Sequence, residues 1–111
     1  MILVVEDDPL SRRALVSLFL ANGYKCRAAN SAEDALEMLR GSEQTGIALI
    51  DIDLPGMSGL QLLERLKVMY PKVACTLMSA NEHPLSRETP FMAKPLDLKR
   101  LRVFLGQSRG D

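Results

Sequence analysis

The sequence predicts an α/β fold, a doubly wound parallel sheet with helices on both of its faces. Two observations carry this. Short apolar runs alternate along the chain with amphipathic stretches of helical period. Those runs are continuous rather than alternating, as expected of parallel strands that meet water on neither face. At 111 residues, 47% of them hydrophobic, the chain has length for one domain with one sizeable core. We expect a single domain over 1–111 with a frayed tail over 106–111.

The elements follow in order. Met1–Val5 is the first apolar run and ends on Glu6-Asp7-Asp8-Pro9. Asp8 before Pro9 marks a helix start. Leu10, Ala14, Leu15, Leu18 and Phe19 give that helix its apolar side, and Asn22-Gly23 stops it. Tyr24–Ala29 is short and partly alternating, which suits a strand near a sheet edge. Ser31-Ala32-Glu33-Asp34 resembles a capping box before a helix whose apolar face is Ala35, Leu36 and Leu39. Ile47–Ile50 is another apolar run, closed by Asp51. Ser58-Gly59 opens a third helix, with Leu60, Leu63, Leu66 and Met69 or Tyr70 on one side and Pro71 stopping it. Val73–Met78 ends at Ser79, and Phe91–Ala93 ends at Lys94-Pro95. A last helix is predicted to start near Asp97 and to bury Leu98, Leu101, Phe104 and Leu105.

Composition excludes several classes. Fourteen basic residues balance 14 acidic ones, so no electrostatic footprint for nucleic acid or a membrane surface is present. No apolar run approaches the roughly 20 residues that span a bilayer. The N-terminus reaches acids too early for a signal peptide, and a cytoplasmic location is expected. Cys26 and Cys75 are too few for a disulfide framework or a zinc site, and both are expected to be buried reduced thiols. The methionines read as core filler, and His83, in a loop-like segment, is assigned no role.

The polar residues are more telling than the fold. In an open α/β sheet, ligands bind beyond the carboxyl ends of the strands. Glu6, Asp7 and Asp8 follow the first strand, Asp51 and Asp53 the third, Ser79 the fourth and Lys94 the fifth. Taken singly, each has a bland account: acids at a helix N-terminus, a Pro-Gly turn, a strand-end hydroxyl, a loop lysine. Their convergence from four strands on one end of the sheet is what those accounts fail to explain. Asp8 is the member most readily given up, as a plain N-cap.

Three carboxylates crowded together call for a cation. All-oxygen ligands suit a hard ion, here Mg²⁺. With Lys94 and Ser79 they form a cradle for a phosphoryl group, and a carboxylate can itself be the nucleophile that accepts it. Asp51 sits centrally and is the expected acceptor.

The set Val4-Val5-Glu6-Asp7-Asp8-Pro9, Leu49-Ile50-Asp51-Ile52-Asp53-Leu54-Pro55-Gly56-Met57-Ser58-Gly59, Met78-Ser79-Ala80 and Lys94-Pro95 resembles the response-regulator receiver family, from about Ile2 to Leu105. The resemblance implies a flavodoxin-like sheet of five parallel strands in order 2-1-3-4-5. It implies that Glu6 and Asp7 hold Mg²⁺ together with Asp51 and the backbone carbonyl of Asp53. Ser79 would be the switch hydroxyl, Lys94 the ion-pair partner of the phosphoryl group, and Phe91 the switch aromatic. The implied partner is a histidine kinase or a histidine phosphotransfer protein, and the implied role is that of a phosphoacceptor rather than an enzyme. That strand order separates Cys26 from Cys75 by roughly 14 Å, beyond disulfide reach.

Two other classes compete. Asp51-Ile52-Asp53 also resembles the aspartate pair of haloacid-dehalogenase-type phosphatases. Against that reading, the further acids lie upstream, at Glu6 and Asp7, and Leu54-Pro55 replaces the small residues usual after the pair. A pseudo-receiver would keep the fold without phosphorylation, and the intact Glu6, Asp7, Asp51, Ser79 and Lys94 set argues against it. One departure from the family stands out. Only 11 residues, Ala80–Pro90, including Pro84 and Pro90, connect the last two strands, so the fourth helix is expected to be shortened or missing. The sheet face near those strands should then be filled by long side chains such as Met78 or Phe91, or used for a homodimer or a partner.

Overall fold

The computed structural model of the chain describes residues 1–41, 45–79, 91–93, 99 and 102. Strands and helices alternate: β1 (Ile2–Val5), α1 (Pro9–Ala21), β2 (Cys26–Ala29), α2 (Ala32–Gly41), β3 (Ile47–Asp51), α3 (Gly59–Met69), β4 (Ala74–Ser79) and β5 (Phe91–Ala93). All strand pairs are parallel, in order β2-β1-β3-β4-β5. The fold class and strand order are those predicted. The connection over 80–90 and the expected burial of Leu98, Leu101, Phe104 and Leu105 lie outside the described residues. So does His83. Residues 99 and 102 are helical and exposed.

Alternate residues of the central strands feed two cores. Leu3, Val5, Ala48, Ile50 and Leu77 pack under α2 and α3, with Ala35, Leu39, Leu62, Leu63 and Leu66. Ile2, Val4, Leu49 and Met78 pack on the other side with Leu15 and Phe19 of α1. This is why the strands look continuously apolar in sequence: the period of two is present, but both faces are covered.

Helix boundaries follow their chemistry. Asp8 caps α1, accepting from the Ser11 N–H at 2.9 Å, with Pro9 in the first turn and Asn22 and Gly23 (φ 84°) at the end. Ser31 Oγ accepts from the Asp34 N–H at 3.0 Å, but the Asp34 carboxylate reaches back to the Asn30 N–H, one residue beyond the expected box. The full reciprocal box forms instead at α3, between Ser58 and Gln61.

Several burial expectations are corrected. Leu10 is 76% exposed and Ala14 is exposed, while the buried residues of α1 are Leu15 and Phe19, four apart on one side of the helix. On α3 the inward residues are Gly59, Leu62, Leu63 and Leu66, while Leu60 and Met69 face solvent. A strict series of three, such as 60, 63, 66 and 69, drifts around a helix of 3.6 residues per turn, whereas i, i+3, i+4, i+7 keeps one side. Cys26 and Cys75 are free, as expected, but only half-buried, one on the edge strand and one near the start of β4. Burial still raises both thiols, each to about 11. Met78 and Phe91 do not share a face. Met78 is fully buried on the α1 side, while Phe91 sits in register with Leu77, whose side chain packs under α2 and α3.

Candidate functional site

Register sets the level of the site. Val5 pairs with Ile50, so Glu6 and Asp51 leave their strands side by side, and Asp51 pairs with Met78, so Ser79 stands one step further. Glu6, Asp51 and Ser79 are buried at 0%, 5% and 1% exposure, while Asp7 and Asp53 are exposed. Glu6, Asp7 and Asp51 each offer a carboxylate oxygen within 4.8 Å of the other two. At that separation each ionised pair repels by about 3 kcal/mol or more for an effective dielectric constant of about 20. Two of the three acids are buried and one faces solvent.

The β1–α1 turn is short because Asp8 starts the helix at once. Its amide approaches Glu6 Oε2 at 3.5 Å. From the first turns of α1, Arg12 Nη1 donates to the carbonyl oxygens of Glu6 (3.1 Å) and Asp7 (3.2 Å). The guanidinium therefore fixes the backbone that carries the two acids and places a positive charge beside them.

The β3–α3 loop is longer and is held from several sides. The Ile52 N–H donates to the Met78 carbonyl at 3.0 Å, extending the β3–β4 pairing past Asp51. The Asp53 N–H donates to Asp51 Oδ1 at 2.9 Å and orients the carboxylate. Ser79 Oγ donates to Asp53 Oδ2 at 2.7 Å. Gly56 takes a left-handed φ of 70°, and the next amide, Met57 N–H, donates to Glu33 Oε2 of α2 at 3.3 Å. The Gly59 N–H then donates to the Ile52 carbonyl at 3.1 Å. A Cβ on Gly59 would overlap the Asp51 carbonyl oxygen and lie 2.7 Å from Ile52 Cα. Only glycine lets α3 begin flush against the backbone of the central aspartate.

The structure thus brings Glu6, Asp7, Asp51, Asp53 and Ser79 together, and Asp8 is the helix cap. Phe91 opens β5 at 36% exposure. Lys94 lies outside the described residues. Sequence reading missed Arg12, Glu33, the bond between the Asp53 carboxylate and Ser79, and the packing role of Gly59. Arg12, one turn into a helix that starts beside three acids, was open to a reading by charge alone. The contacts of Glu33 and Asp53 span 24 and 26 residues and have no local signature.

Known proteins resemble this chain. The family model described as response regulator receiver domain matches residues 2–104. The response regulator protein FleR of Pseudomonas aeruginosa is 39% identical over 121 residues, covering 98% of this chain and 25% of its own length. The sensor histidine kinase RcsC of Salmonella typhi is 40% identical over 112 residues, covering 95% of this chain and 12% of its own. Among solved structures, the response regulator TrrA of Thermotoga maritima, in complex with Mg²⁺-BeF, is similar at a TM-score of 0.87 and 24% identity, over 96% of both chains. The fold and site define a phosphotransfer signalling module. The chain belongs to the response-regulator receiver family of two-component systems. It spans 12–29% of the length of the curated relatives named first by similarity. No helix among the described residues is long and apolar enough to cross a membrane.

Proposed function

We propose that residues 1–111 form one receiver domain that accepts a phosphoryl group on Asp51 from a histidine kinase or a histidine phosphotransfer protein and changes conformation in consequence. One observation carries this: three strand-end carboxylates lie within 4.8 Å of one another, and Asp51, one of the two buried members, is oriented by the Asp53 N–H. The donor set fits Mg²⁺, since it is all oxygen and one carboxylate faces solvent, where waters can complete the shell. Glu6, Asp7, Asp51 and the backbone carbonyl of Asp53 would hold the ion. Bound there, Mg²⁺ would offset the repulsion among the acids and the charge of the incoming phosphoryl oxygens. The TrrA complex with Mg²⁺-BeF supports this by analogy.

In the transfer, a carboxylate oxygen of Asp51 bonds to phosphorus as the phosphorus–nitrogen bond of the donor imidazole breaks. The imidazole nitrogen keeps the electron pair and takes up a proton. The Asp53 N–H keeps the Asp51 carboxylate aimed during the attack. Ser79 then donates its hydroxyl to the new anion, Lys94 pairs with it, and Phe91 is the aromatic that follows the switch. The domain takes one phosphoryl group and does not turn over substrate, and its place of action is the cytoplasm.

The test is the intact mass after incubation with Mg²⁺ and an acyl phosphate. One phosphoryl adduct is expected, labile to hydroxylamine, dependent on Mg²⁺ and absent in Asp51→Asn. An adduct that persists in that variant overturns the assignment. Sustained hydrolysis of a phosphate ester would mean an enzyme instead.

A further inference from the structure

Asp53 grips both halves of the site through different groups. Its amide donates to the Asp51 carboxylate at 2.9 Å, and its own carboxylate accepts from Ser79 Oγ at 2.7 Å. The second bond has the length of a charge-assisted O–H···O⁻ contact. Ser79 is 1% exposed, so water competes little for its hydroxyl. A serine hydroxyl has one proton to donate. A phosphoryl group on Asp51 is a second anionic acceptor, and the same proton cannot serve both.

We infer that the Asp53 carboxylate is a latch on Ser79: it holds the switch hydroxyl in the arrangement seen here, and the phosphorylated arrangement forms only when that bond is given up. The inference rests on the phosphoacceptor reading and deepens it. Asp53 is a positioning residue, acting on the phosphoryl group through Ser79. A ligand shifts such an equilibrium only by its differential affinity for the two arrangements, so every increment that favours the latched one weakens apparent phosphoryl binding. The side chain of Asp53 is exposed, which screens its direct repulsion of the phosphoryl charge and leaves the hydrogen bond as the larger effect. Asp53→Ala removes the latch and keeps the backbone carbonyl and amide. Asp53→Asn keeps an acceptor oxygen without the charge.

The experiment is a titration with Mg²⁺ and beryllofluoride, a phosphoryl mimic, on the wild type, Asp53→Ala, Asp53→Asn, Ser79→Ala and the Asp53→Ala/Ser79→Ala double variant. Asp53→Ala is expected to bind beryllofluoride three- to tenfold more tightly than the wild type, with Asp53→Asn in between. In the Ser79→Ala background the same substitution should change nothing, because there is no hydroxyl left to hold. Urea unfolding of the same proteins without beryllofluoride should show the two residues coupled. Equal tightening in both backgrounds would mean plain charge repulsion and would overturn the latch, as would weaker binding by Asp53→Ala. If the wild type takes up no beryllofluoride, the phosphoacceptor reading falls and the latch with it. Uptake by the wild type with additive variants removes the latch alone.

Discussion

The β1–α1 turn and the β3–α3 loop meet over the same carboxylates and are anchored by different means. The side-chain ties of the first include several to its own neighbourhood, Asp8 to Ser11 and Arg12 to Glu6 and Asp7, within six residues, while the Glu6 N–H donates to the Ala29 carbonyl of the adjoining edge strand at 3.0 Å. The second is tied across the molecule: Ile52 to Met78, Asp53 to Ser79, Met57 to Glu33, and Gly59 against the backbone of Asp51 and Ile52. A turn held by its own helix and by the edge strand β2 supplies charge at one side of the site. A loop whose ties reach β4 and α2 senses a change at Asp51 and carries it elsewhere. The metal-binding half of the site is therefore expected to be robust and local, and the acceptor half sensitive and coupled.

The largest effect that would break this comparison is at Gly59. Gly59→Ala places a methyl group into the Asp51 carbonyl, and backbone cannot rotate aside as a side chain can. Loss of about 3 kcal/mol is expected, near the upper end for overpacking, together with impaired Mg²⁺ binding. Urea unfolding measures the first and a metal titration the second. A fully stable Gly59→Ala protein would mean that α3 does not abut the acceptor loop.

Next in size is the metal set. Mg²⁺ should stabilise the native state by mass action. Asp7→Ala should weaken its binding roughly tenfold or more, about 1.4 kcal/mol. Asp8→Ala should leave Mg²⁺ affinity nearly unchanged and instead cost about 1 kcal/mol of stability through the lost cap. Glu6→Gln should fall between Asp7→Ala and Asp8→Ala in metal affinity if its contact runs through water. Equal losses of affinity at Asp7 and Asp8 would show that the cluster is not the metal site.

The local and long-range ties also account for what was legible in the sequence. Asp8-Pro9, Asn22-Gly23 and Ser58-Gly59 announced helix ends because caps are made by residues within a few positions of one another. The four apolar runs, three ending in acids or a serine and one in a lysine, placed the site at the carboxyl edge of the sheet. The phase of α3 was not legible, because Leu60, Leu62, Leu63, Leu66 and Met69 allow more than one apolar side, and close packing of Gly59 chooses between them. Nor was the Ser79–Asp53 bond, which depends on β3 and β4 being neighbours and on the loop turning back over β4.

The smallest effect lies away from both loops. Cys26 and Cys75 are half-buried, and desolvation raises each thiol to about 11. At pH 8 roughly a thousandth of each should be thiolate, so alkylation of the native protein should be slow and should accelerate toward pH 11. The native state holds these protons more tightly than the unfolded chain, whose thiols titrate near 9. The resulting contribution to stability is present below about pH 9 and is lost as pH rises toward about 11. Fast alkylation at pH 8 would place the thiols in open solvent.

Asp51 as the side chain that takes the phosphoryl group is tested directly by reductive trapping. Borohydride converts an aspartyl phosphate to homoserine, and peptide mass spectrometry locates the change. After incubation with Mg²⁺ and an acyl phosphate, homoserine is expected at position 51 and nowhere else, and none is expected when Mg²⁺ is chelated. Homoserine at position 7 or 53, or a stable phosphate ester on Ser79 with Asp51 unchanged, would contradict it.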